Sequence, residues 1–234
     1  MALALFDLDH TLLSGDTEQL WVEFLIGRGV LDAALAARNE AMARDYQLGL
    51  AAPQDFCAFF AQTLAGRSPA GWAPLRDAFM DEVVRPRIPD AARGLLLQHR
   101  RCGDVLVLTS ASSRFLVEAT AADLGFVHLI ATELAQDAAG RFEGRTQGPL
   151  NMGAGKVVRL RSWLAERCTA DTDIDADAVL AQAAFYSDSI NDLPLLSAVG
   201  RPVAVDPDAR LEQEARARQW PVLRLPRPVF SETP

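Results

Sequence analysis

Short apolar runs recur along this chain, and most of them are followed by a stretch with helical periodicity. The first run, Leu3-Ala4-Leu5, ends at Asp7, and later runs predict strands at 104–109, 127–132, 183–187 and 202–205. Apolar residues at helical spacing predict helices at 89–101, 113–124, 155–167, from 192, and at 207–219. Strands that alternate with helices favour an α/β fold with a parallel sheet and right-handed crossovers.

Residues 16–85 interrupt this alternation, because they contain helical patterns and no candidate strand. The predicted helices are 17–28, 31–48, 53–64 and 69–84, divided by Gly29, Gly49 and Gly66. Ordinary crossover structure is the alternative, but a βα connection rarely needs about seventy residues. The pattern therefore predicts a helical domain at 16–85, inserted into an α/β domain made of 1–15 and 86–234.

Three shorter segments lie outside this pattern. Residues 139–144 contain a glycine turn and predict a hairpin. Residues 169–177 alternate acidic and small residues but lack the internal glycine and closing glutamate of a calcium loop, so we expect a solvated loop. Residues 221–234 hold several prolines and are expected to close against a sheet edge or to extend freely.

Composition narrows the classes of partner. The formal net charge of −8 and the pI of about 4.9 argue against a surface for nucleic acid or anionic lipid. Cys57, Cys102 and Cys168 are widely separated and suggest neither a disulfide framework nor a zinc site. No apolar stretch approaches the ~18 residues of a membrane span. We expect a cytoplasmic protein with a small-molecule ligand, and the oligomeric state stays open, a monomer included.

The use of basic residues is unusual. Of the 23 basic residues only Lys156 is lysine, which leaves 22 arginines. A bias in base composition replaces lysine wherever arginine serves equally well. The single lysine therefore indicates a position that requires a compact ammonium instead of a planar guanidinium.

Polar clusters follow three of the predicted strands. Asp7 and Asp9 come directly after the first strand, and the carboxyl ends of strands are where ligands bind in open α/β sheets. A solvated surface loop is the alternative, but such a loop rarely follows a buried strand so abruptly. Thr109 and Ser110 end the second strand, where they would cradle a phosphate or cap the next helix. The segment Ser187-Asp188-Ser189-Ile190-Asn191-Asp192 follows the strand at 183–187.

In this order the clusters resemble the four motifs of the haloacid dehalogenase superfamily of phosphohydrolases. Asp7-x-Asp9-x-Thr11 is similar to the first motif, the strand with Ser110-Ala111-Ser112 to the second, and Lys156 to the third. Asp188 and Asp192 match the fourth, although serines replace its usual glycines. The resemblance covers the whole chain. It implies a Rossmann-like parallel sheet with an inserted helical cap over the site, as in the branch that contains phosphoserine phosphatase.

The resemblance also implies roles for these residues. Asp7 would be the nucleophile, Asp9 the general acid and base, and Lys156 a charge between a carboxylate and a phosphoryl oxygen. Mg²⁺ would be bound by Asp7, Asp188 and the backbone carbonyl of Asp9, with Asp192 fixing a metal-bound water. Contacts to phosphate or substrate are expected from Thr11, Asn191 and Ser110, with Thr109 as second choice for the phosphate-binding hydroxyl.

The substrate implied is a small phosphomonoester. Asp16 stands nine residues after Asp7, where phosphoserine phosphatases hold the substrate amine with an acidic residue. Their cap arginine, which holds the substrate carboxylate, has no counterpart here, since 45–66 contains no lysine or arginine. We therefore expect an amino-alcohol phosphate such as histidinol phosphate. A phosphomutase, or a weakly active or inactive binding protein on the same fold, is the alternative.

Overall fold

The structure is a computed structural model that describes residues 2–167 and 175–228. Seven strands in those residues form one sheet: β1 (Leu3–Phe6), β2 (Val105–Ser113), β3 (His128–Gln136), β4 (Phe142–Gln147), β5 (Ala184–Ser187), β6 (Arg201–Val205) and β7 (Val222–Leu223). Their order is β4-β3-β2-β1-β5-β6-β7. Every neighbouring pair is parallel except β3 and β4, which are antiparallel.

Strand β1 occupies the centre of the sheet, and all four of its residues are buried. Alternate residues of a strand face opposite sides of the sheet. Accordingly, Ala4 and Phe6 belong to one hydrophobic cluster, and Leu3 and Leu5 to another on the opposite face. In register, Phe6 pairs with Leu108 of β2 and Tyr186 of β5. The residues that follow these three strands therefore meet at one edge.

The described residues contain ten α-helices: α1 (Thr17–Gly27), α2 (Leu35–Gln47), α3 (Pro53–Thr63), α4 (Pro69–Phe79), α5 (Asp90–Arg101), α6 (Arg114–Asp123), α7 (Ala154–Ala165), α8 (Ala176–Gln182), α9 (Leu193–Ala198) and α10 (Ala209–Ala217). A π-helical segment, Met80–Val84, and a 3-10 turn, Arg85–Arg87, follow α4. A second 3-10 turn, Ile190–Asp192, precedes α9. In the described ranges, no helix has the length and apolarity needed to cross a membrane.

The helices between β1 and α5 pack in two different ways. Trp21 of α1 and Trp72 of α4 lie in the same hydrophobic cluster as Phe6 of the sheet. Helix α3 instead contributes Phe56 and Phe60 to a separate cluster, together with Val22, which lies on the other face of α1. The inserted helices thus contact the sheet in two places, α1 and α4 through the cluster that contains Phe6, and α3 through strand β4.

The β3–β4 hairpin holds the outer helices in place. The amide of Gly66, just after α3, donates to Phe142 O at 2.8 Å, and the Phe142 amide donates to Arg67 O at 3.0 Å. The Gln62 side chain donates to Gly144 O at 2.9 Å. A Cβ at Gly144 would lie only 2.9 Å from Gln62 Nε2, so this close approach requires glycine there.

Most predicted elements have counterparts, with shifted ends. The hairpin at 139–144 is confirmed, with Gly140 in its turn at φ 72°. Of the C-terminal segment predicted at 221–234, the structure describes residues 221–228, and β7 within them closes the sheet edge by pairing with β6. Helix α6 begins at Arg114 and not at 113, because β2 continues to Ser113.

The prediction of a solvated loop was wrong for residues 176 and 177, which begin α8; residues 169–174 lie outside the described residues. Asp175 caps this helix by accepting hydrogen bonds from the amides of Asp177 and Ala178. Acidic residues are favourable at a helix N-terminus as well as in a solvated loop, so their abundance did not distinguish the two.

Candidate active site

The loop from residue 7 to 15, here called the nucleophile loop, starts where β1 ends. The Asp7 amide donates to Tyr186 O at 2.9 Å, which extends the ladder with β5 by one residue. Leu8 O then accepts the amides of Thr11, Leu12 and Leu13 at 3.2, 2.9 and 2.9 Å. His10 has φ 55° within this tight turn. The turn brings both Asp7 and Asp9 to the lining of one cavity.

This cavity has about 570 Å³ of empty space, including its opening to solvent. It lies at the carboxyl edge of the sheet, and its lining combines residues of the sheet loops with residues of the inserted helices. The lining residues are Asp7, Asp9, His10, Asp16, Tyr46, Phe56, Ala111, Ser112, Met152, Lys156, Asp188, Ser189, Asn191 and Asp192.

Lys156 lies at the start of α7 and is only 2% exposed. Its Nζ donates to Asp7 Oδ1 at 2.7 Å and to Asp192 Oδ2 at 2.6 Å. Burial alone would lower the pKa of Lys156, but the two carboxylates outweigh it and raise the pKa. The preceding Gly155 allows the close packing of this helix, since a Cβ there would lie 2.2 Å from Leu150 O. The single lysine thus bridges two of the candidate carboxylates.

Asp9 is held by two elements. Its Oδ1 accepts the Thr17 amide at 2.8 Å and also the Thr17 hydroxyl at the start of α1. Its Oδ2 accepts the hydroxyls of Ser112 at 2.7 Å and Ser110 at 3.3 Å, at the end of β2. The Asp9 carboxyl therefore has a fixed orientation while remaining part of the cavity wall.

The two hydroxyl groups predicted to bind phosphate, those of Ser110 and Thr109, do not line the cavity. Ser110 is buried, and its hydroxyl contacts Asp9 and accepts a hydrogen bond from the Ser112 amide at 3.1 Å. Thr109 is buried and accepts Asn151 Nδ2 at 3.0 Å. Ser112, not singled out from the sequence, lines the cavity instead, although the Ser-Ala-Ser spacing contained the signal. Asn151, also missed, lies close to the carbonyls of Ser110 and Ile130, both at 2.9 Å from its Nδ2.

Thr11 lies between two carboxylates. Its hydroxyl oxygen is 2.9 Å from Asp188 Oδ1 and 3.2 Å from Asp7 Oδ2, and it accepts the Asp188 amide at 3.0 Å. One hydroxyl proton serves one carboxylate at a time. Burial, and next the charge of Asp7, raise the pKa of Asp188 well above its ordinary range. Burial raises the pKa of Asp7 to about 7, although Lys156 acts in the opposite direction.

The cavity carries more acidic than basic groups. Asp7, Asp9, Asp16, Asp188 and Asp192 line it, against the single ammonium of Lys156. Burial lowers the pKa of His10, so its imidazole is neutral near pH 7. Among the described residues no salt bridge reaches Asp188. This excess of buried negative charge is compatible with a bound cation.

The donor set also fits Mg²⁺. Within the described ranges, no three His, Cys, Asp or Glu side chains converge as a metal site. The predicted set requires only two carboxylates, Asp7 and Asp188, and one backbone carbonyl, that of Asp9. These are all oxygen ligands, which Mg²⁺ prefers. Asp192 Oδ2 is occupied by Lys156 and by the Ser187 hydroxyl at 2.7 Å.

The inserted helices supply a different part of the lining. Asp16 caps α1 by accepting the Gln19 amide at 2.8 Å, and burial raises the pKa of its carboxyl well above the ordinary range. Tyr46 of α2 and Phe56 of α3 have ring centroids 4.2 Å apart, and both face the cavity. This part of the wall is aromatic and acidic, and the described lining contains no arginine.

Known proteins resemble this chain along most of its length. The family model described as haloacid dehalogenase-like hydrolase matches residues 4–197. A histidinol-phosphatase from Neisseria meningitidis serogroup C is 39% identical over 224 residues, which cover 95% of this chain and 98% of that protein. A phosphoserine phosphatase from Mycobacterium tuberculosis is 34% identical over 241 residues, which cover 94% of this chain and 70% of that protein.

Solved structures share the fold. A protein with unknown function from Bordetella pertussis Tohama I has a TM-score of 0.85 at 38% identity, covering 95% of this chain and 97% of its own. A phospho-aspartyl intermediate analogue of phosphoserine phosphatase has a TM-score of 0.69 at 15% identity, covering 97% and 94%. At that identity the likeness concerns the fold alone. The predicted α/β fold, a mostly parallel sheet with added helices, is confirmed.

Proposed function

The chain belongs to the haloacid dehalogenase-like hydrolases and is a phosphatase, and we propose that it acts on a small amino-alcohol phosphate such as histidinol phosphate. The proposal includes Mg²⁺ as cofactor and a phosphoryl group carried on Asp7. It also treats residues 16–85 as a cap that covers the site and selects the leaving group.

The observation that carries the substrate proposal is the chemistry of the lining contributed by the inserted helices. Asp16 offers a carboxylate to a substrate ammonium, and the rings of Tyr46 and Phe56 offer an apolar surface to a flat ring. The whole-length relative at 39% identity is named a histidinol-phosphatase, whose substrate combines an amine with an imidazole ring.

Phosphoserine fits this lining less well because it carries a carboxylate. Lys156 is already paired with Asp7 and Asp192, and the described lining has no other lysine or arginine. A buried carboxylate without a cationic partner costs ~3 to 5 kcal/mol. We therefore expect phosphoserine to be the poorer substrate by about 10²- to 10⁴-fold in kcat/KM.

In the proposed mechanism, a carboxylate oxygen of Asp7 attacks phosphorus and the bond from phosphorus to the substrate oxygen breaks. Asp9 donates a proton to that leaving oxygen. Asp9 then takes a proton from water, which attacks the phosphoryl group and releases phosphate and free Asp7. Lys156 holds Asp7 in place during both steps, and Ser112 and Asn191, which line the cavity, are the proposed phosphate contacts.

The cofactor proposal follows from the charge of the site. Mg²⁺, bound by Asp7, Asp188 and the carbonyl oxygen of Asp9, would supply the positive charge that screens a phosphate from these carboxylates. Asp192 would act behind this set through a water.

The test is a substrate panel with Mg²⁺ and with EDTA: histidinol phosphate, phosphoserine, phosphoethanolamine and an aryl phosphate. We expect histidinol phosphate to give the highest kcat/KM and EDTA to abolish turnover. Asp16→Asn should lower kcat/KM for histidinol phosphate by about 10- to 100-fold, and much less for the aryl phosphate, which has no amine. Glu23→Gln, an exposed change on the same helix, is the matched control.

Three results would contradict the proposal. Phosphoserine giving the highest kcat/KM would refute the substrate class. An equal loss for both substrates in Asp16→Asn would remove the role of Asp16 as amine partner. Wild-type turnover or phosphoryl labelling of Asp7→Asn would refute the nucleophile.

A further inference from the structure

The C-terminal segment returns to the nucleophile loop through one side chain. Arg227 Nη2 donates to the carbonyls of His10 at 2.6 Å and Thr11 at 2.9 Å, and its Nη1 donates to Leu13 O at 3.1 Å. These carbonyls lie in the turn that begins with Asp7. One planar guanidinium thus binds three carbonyl oxygens of this loop. The fixed, forked arrangement of its donors suits such a set of contacts.

Asp206 fixes the guanidinium from the other side. Its Oδ2 lies 2.9 Å from Arg227 Nε and 2.7 Å from Nη2. The Asp206 amide donates to Leu223 O at 2.9 Å, and the Leu225 amide reaches its carboxylate at 3.3 Å. The charge of Arg227 is therefore matched outside the cavity, and its position is set by the end of β6 and by the tail.

The same connection between β6 and α10 also holds the loop that carries Asp188. Two residues after Asp206, the Asp208 amide donates to Asp188 O at 2.8 Å. The Asp208 carboxylate accepts the Ile190 amide at 2.7 Å. Residues 206–208 therefore connect Arg227 and the nucleophile loop with the loop after β5.

The contacts of Arg227 and Asp208 oppose two unfavourable features of the site, the repulsion between its carboxylates and the backbone conformation of His10. Asp7, Asp9 and Asp188 approach one another in a buried place, and like charges there repel. His10 also has a left-handed backbone conformation, φ 55°, which is unfavourable for a residue with a Cβ. The contacts of Arg227 and Asp208 restrain the loops against this repulsion and against the cost of the His10 conformation.

We propose that Arg227 is a positioning residue for phosphoryl transfer. Arg227 does not belong to the cavity lining; it holds the carbonyls of the nucleophile loop, so that Asp7 and Asp9 keep their places relative to Asp188. A displacement of about 1 Å in such a site lowers the rate by about 10²-fold. The role is independent of the leaving group, and it rests on the proposed nucleophile Asp7.

The experiment compares Arg227→Ala, Arg227→Lys and Arg224→Ala. Arg224 is the matched control, because it lies in the same segment, is half-exposed and pairs with Glu212 at 3.0 Å. For each variant, kcat and KM are measured with an aryl phosphate and with histidinol phosphate. The affinity for Mg²⁺ is measured by calorimetry without substrate, and the folded fraction by circular dichroism.

Arg227→Ala is expected to lower kcat by about 10- to 100-fold for both substrates, with a smaller change in KM and a several-fold weaker affinity for Mg²⁺. Arg227→Lys should retain only part of the activity, since an ammonium cannot reproduce the forked contacts. Guanidinium ion at millimolar concentration should partly restore Arg227→Ala and leave Arg224→Ala unchanged.

Two outcomes would overturn the proposal. The first is kcat and Mg²⁺ affinity of Arg227→Ala within twofold of Arg224→Ala. The second is a loss of kcat that equals the loss of folded protein and does not respond to guanidinium. If Arg227→Ala does not fold, Arg227→Lys decides: wild-type kcat and Mg²⁺ affinity would refute the role. An active Asp7→Asn variant would refute the nucleophile instead, so the two failures are distinguishable.

Discussion

Glu18 permits a quantitative test of how the start of α1 is joined to the sheet. The side chain is 4% exposed, and its Oε1 accepts the Ser113 amide at 2.8 Å. Its Oε2 is buried and has no hydrogen-bond partner in the part of the chain that the structure describes. Burial raises the pKa of Glu18 to about 7 from its ordinary value of 4.5.

The direction in which pH changes the free energy of unfolding follows from the number of protons that the folded and the unfolded chain bind. Below pH 4.5 the group is protonated in both the folded and the unfolded chain. Between about pH 4.5 and 7 the unfolded chain loses this proton first, so the free energy of unfolding falls by about 1.4 kcal/mol per pH unit. Above about pH 7 the contribution is constant, after a total loss of about 3 kcal/mol.

The perturbation is Glu18→Gln, which keeps an acceptor for the Ser113 amide and cannot ionise. Urea unfolding without Mg²⁺ at pH 5, 6, 7 and 8 gives the free energy of unfolding of wild type, Glu18→Gln and the exposed control Glu23→Gln. The difference between Glu18→Gln and wild type should rise by about 2 to 3 kcal/mol from pH 5 to pH 8. Glu23→Gln should run parallel to wild type. If Glu18→Gln also does so, the buried carboxyl has an ordinary pKa and this reasoning fails.

Two further predictions concern the reacting groups. Asp9→Asn should lower kcat by about 10²- to 10⁴-fold for a substrate with a poor leaving group and remove one limb of the pH–rate profile, while phosphate binding persists; unchanged kinetics would exclude the acid–base role. Lys156→Arg should lose nearly as much activity as Lys156→Met, because the buried Nζ lies within 2.7 Å of both Asp7 and Asp192, and a wide planar guanidinium cannot take the place of a compact ammonium between them. Near-normal kcat of the arginine variant would show that the single lysine reflects base composition.

The sequence predicted the elements whose signal is local. Strand β1 is buried on both faces and therefore reads as a continuous apolar run, and Asp7 stands at the end of that run. The parallel order of the sheet then brings the ends of β1, β2 and β5 together, so that residues far apart in sequence share an edge. The family resemblance predicted that Lys156 lies beside a carboxylate, and its Nζ contacts Asp7 at 2.7 Å.

Other features depend on contacts that leave no local pattern. Arg227 and His10 are 217 residues apart and meet through a side chain and a carbonyl, which any residue at position 10 would supply. Ser112 and Ser110 differ by two residues, and only the actual course of β2 decides which of them faces the cavity. Tyr46 lies in α2 and Phe56 in α3, and each belongs to a helical pattern of apolar residues that is typical of a core. Their exposure to the cavity depends on how α2 and α3 pack.

The side chains in and around the cavity fall into two groups. In the proposed function the side chains that line the cavity carry the chemistry, whereas Glu18, Asn151, Asp208 and Arg227 lie outside the lining and bind backbone groups of the strand ends and loops around it. These contacts to backbone groups do not depend on which side chains line the cavity. The loops can therefore keep their carboxylates in place while the lining from α2 and α3 changes. If the proposed function holds, substitutions at residues such as Tyr46 and Phe56 would change which leaving group the site accepts, while the residues proposed for phosphoryl transfer stay the same.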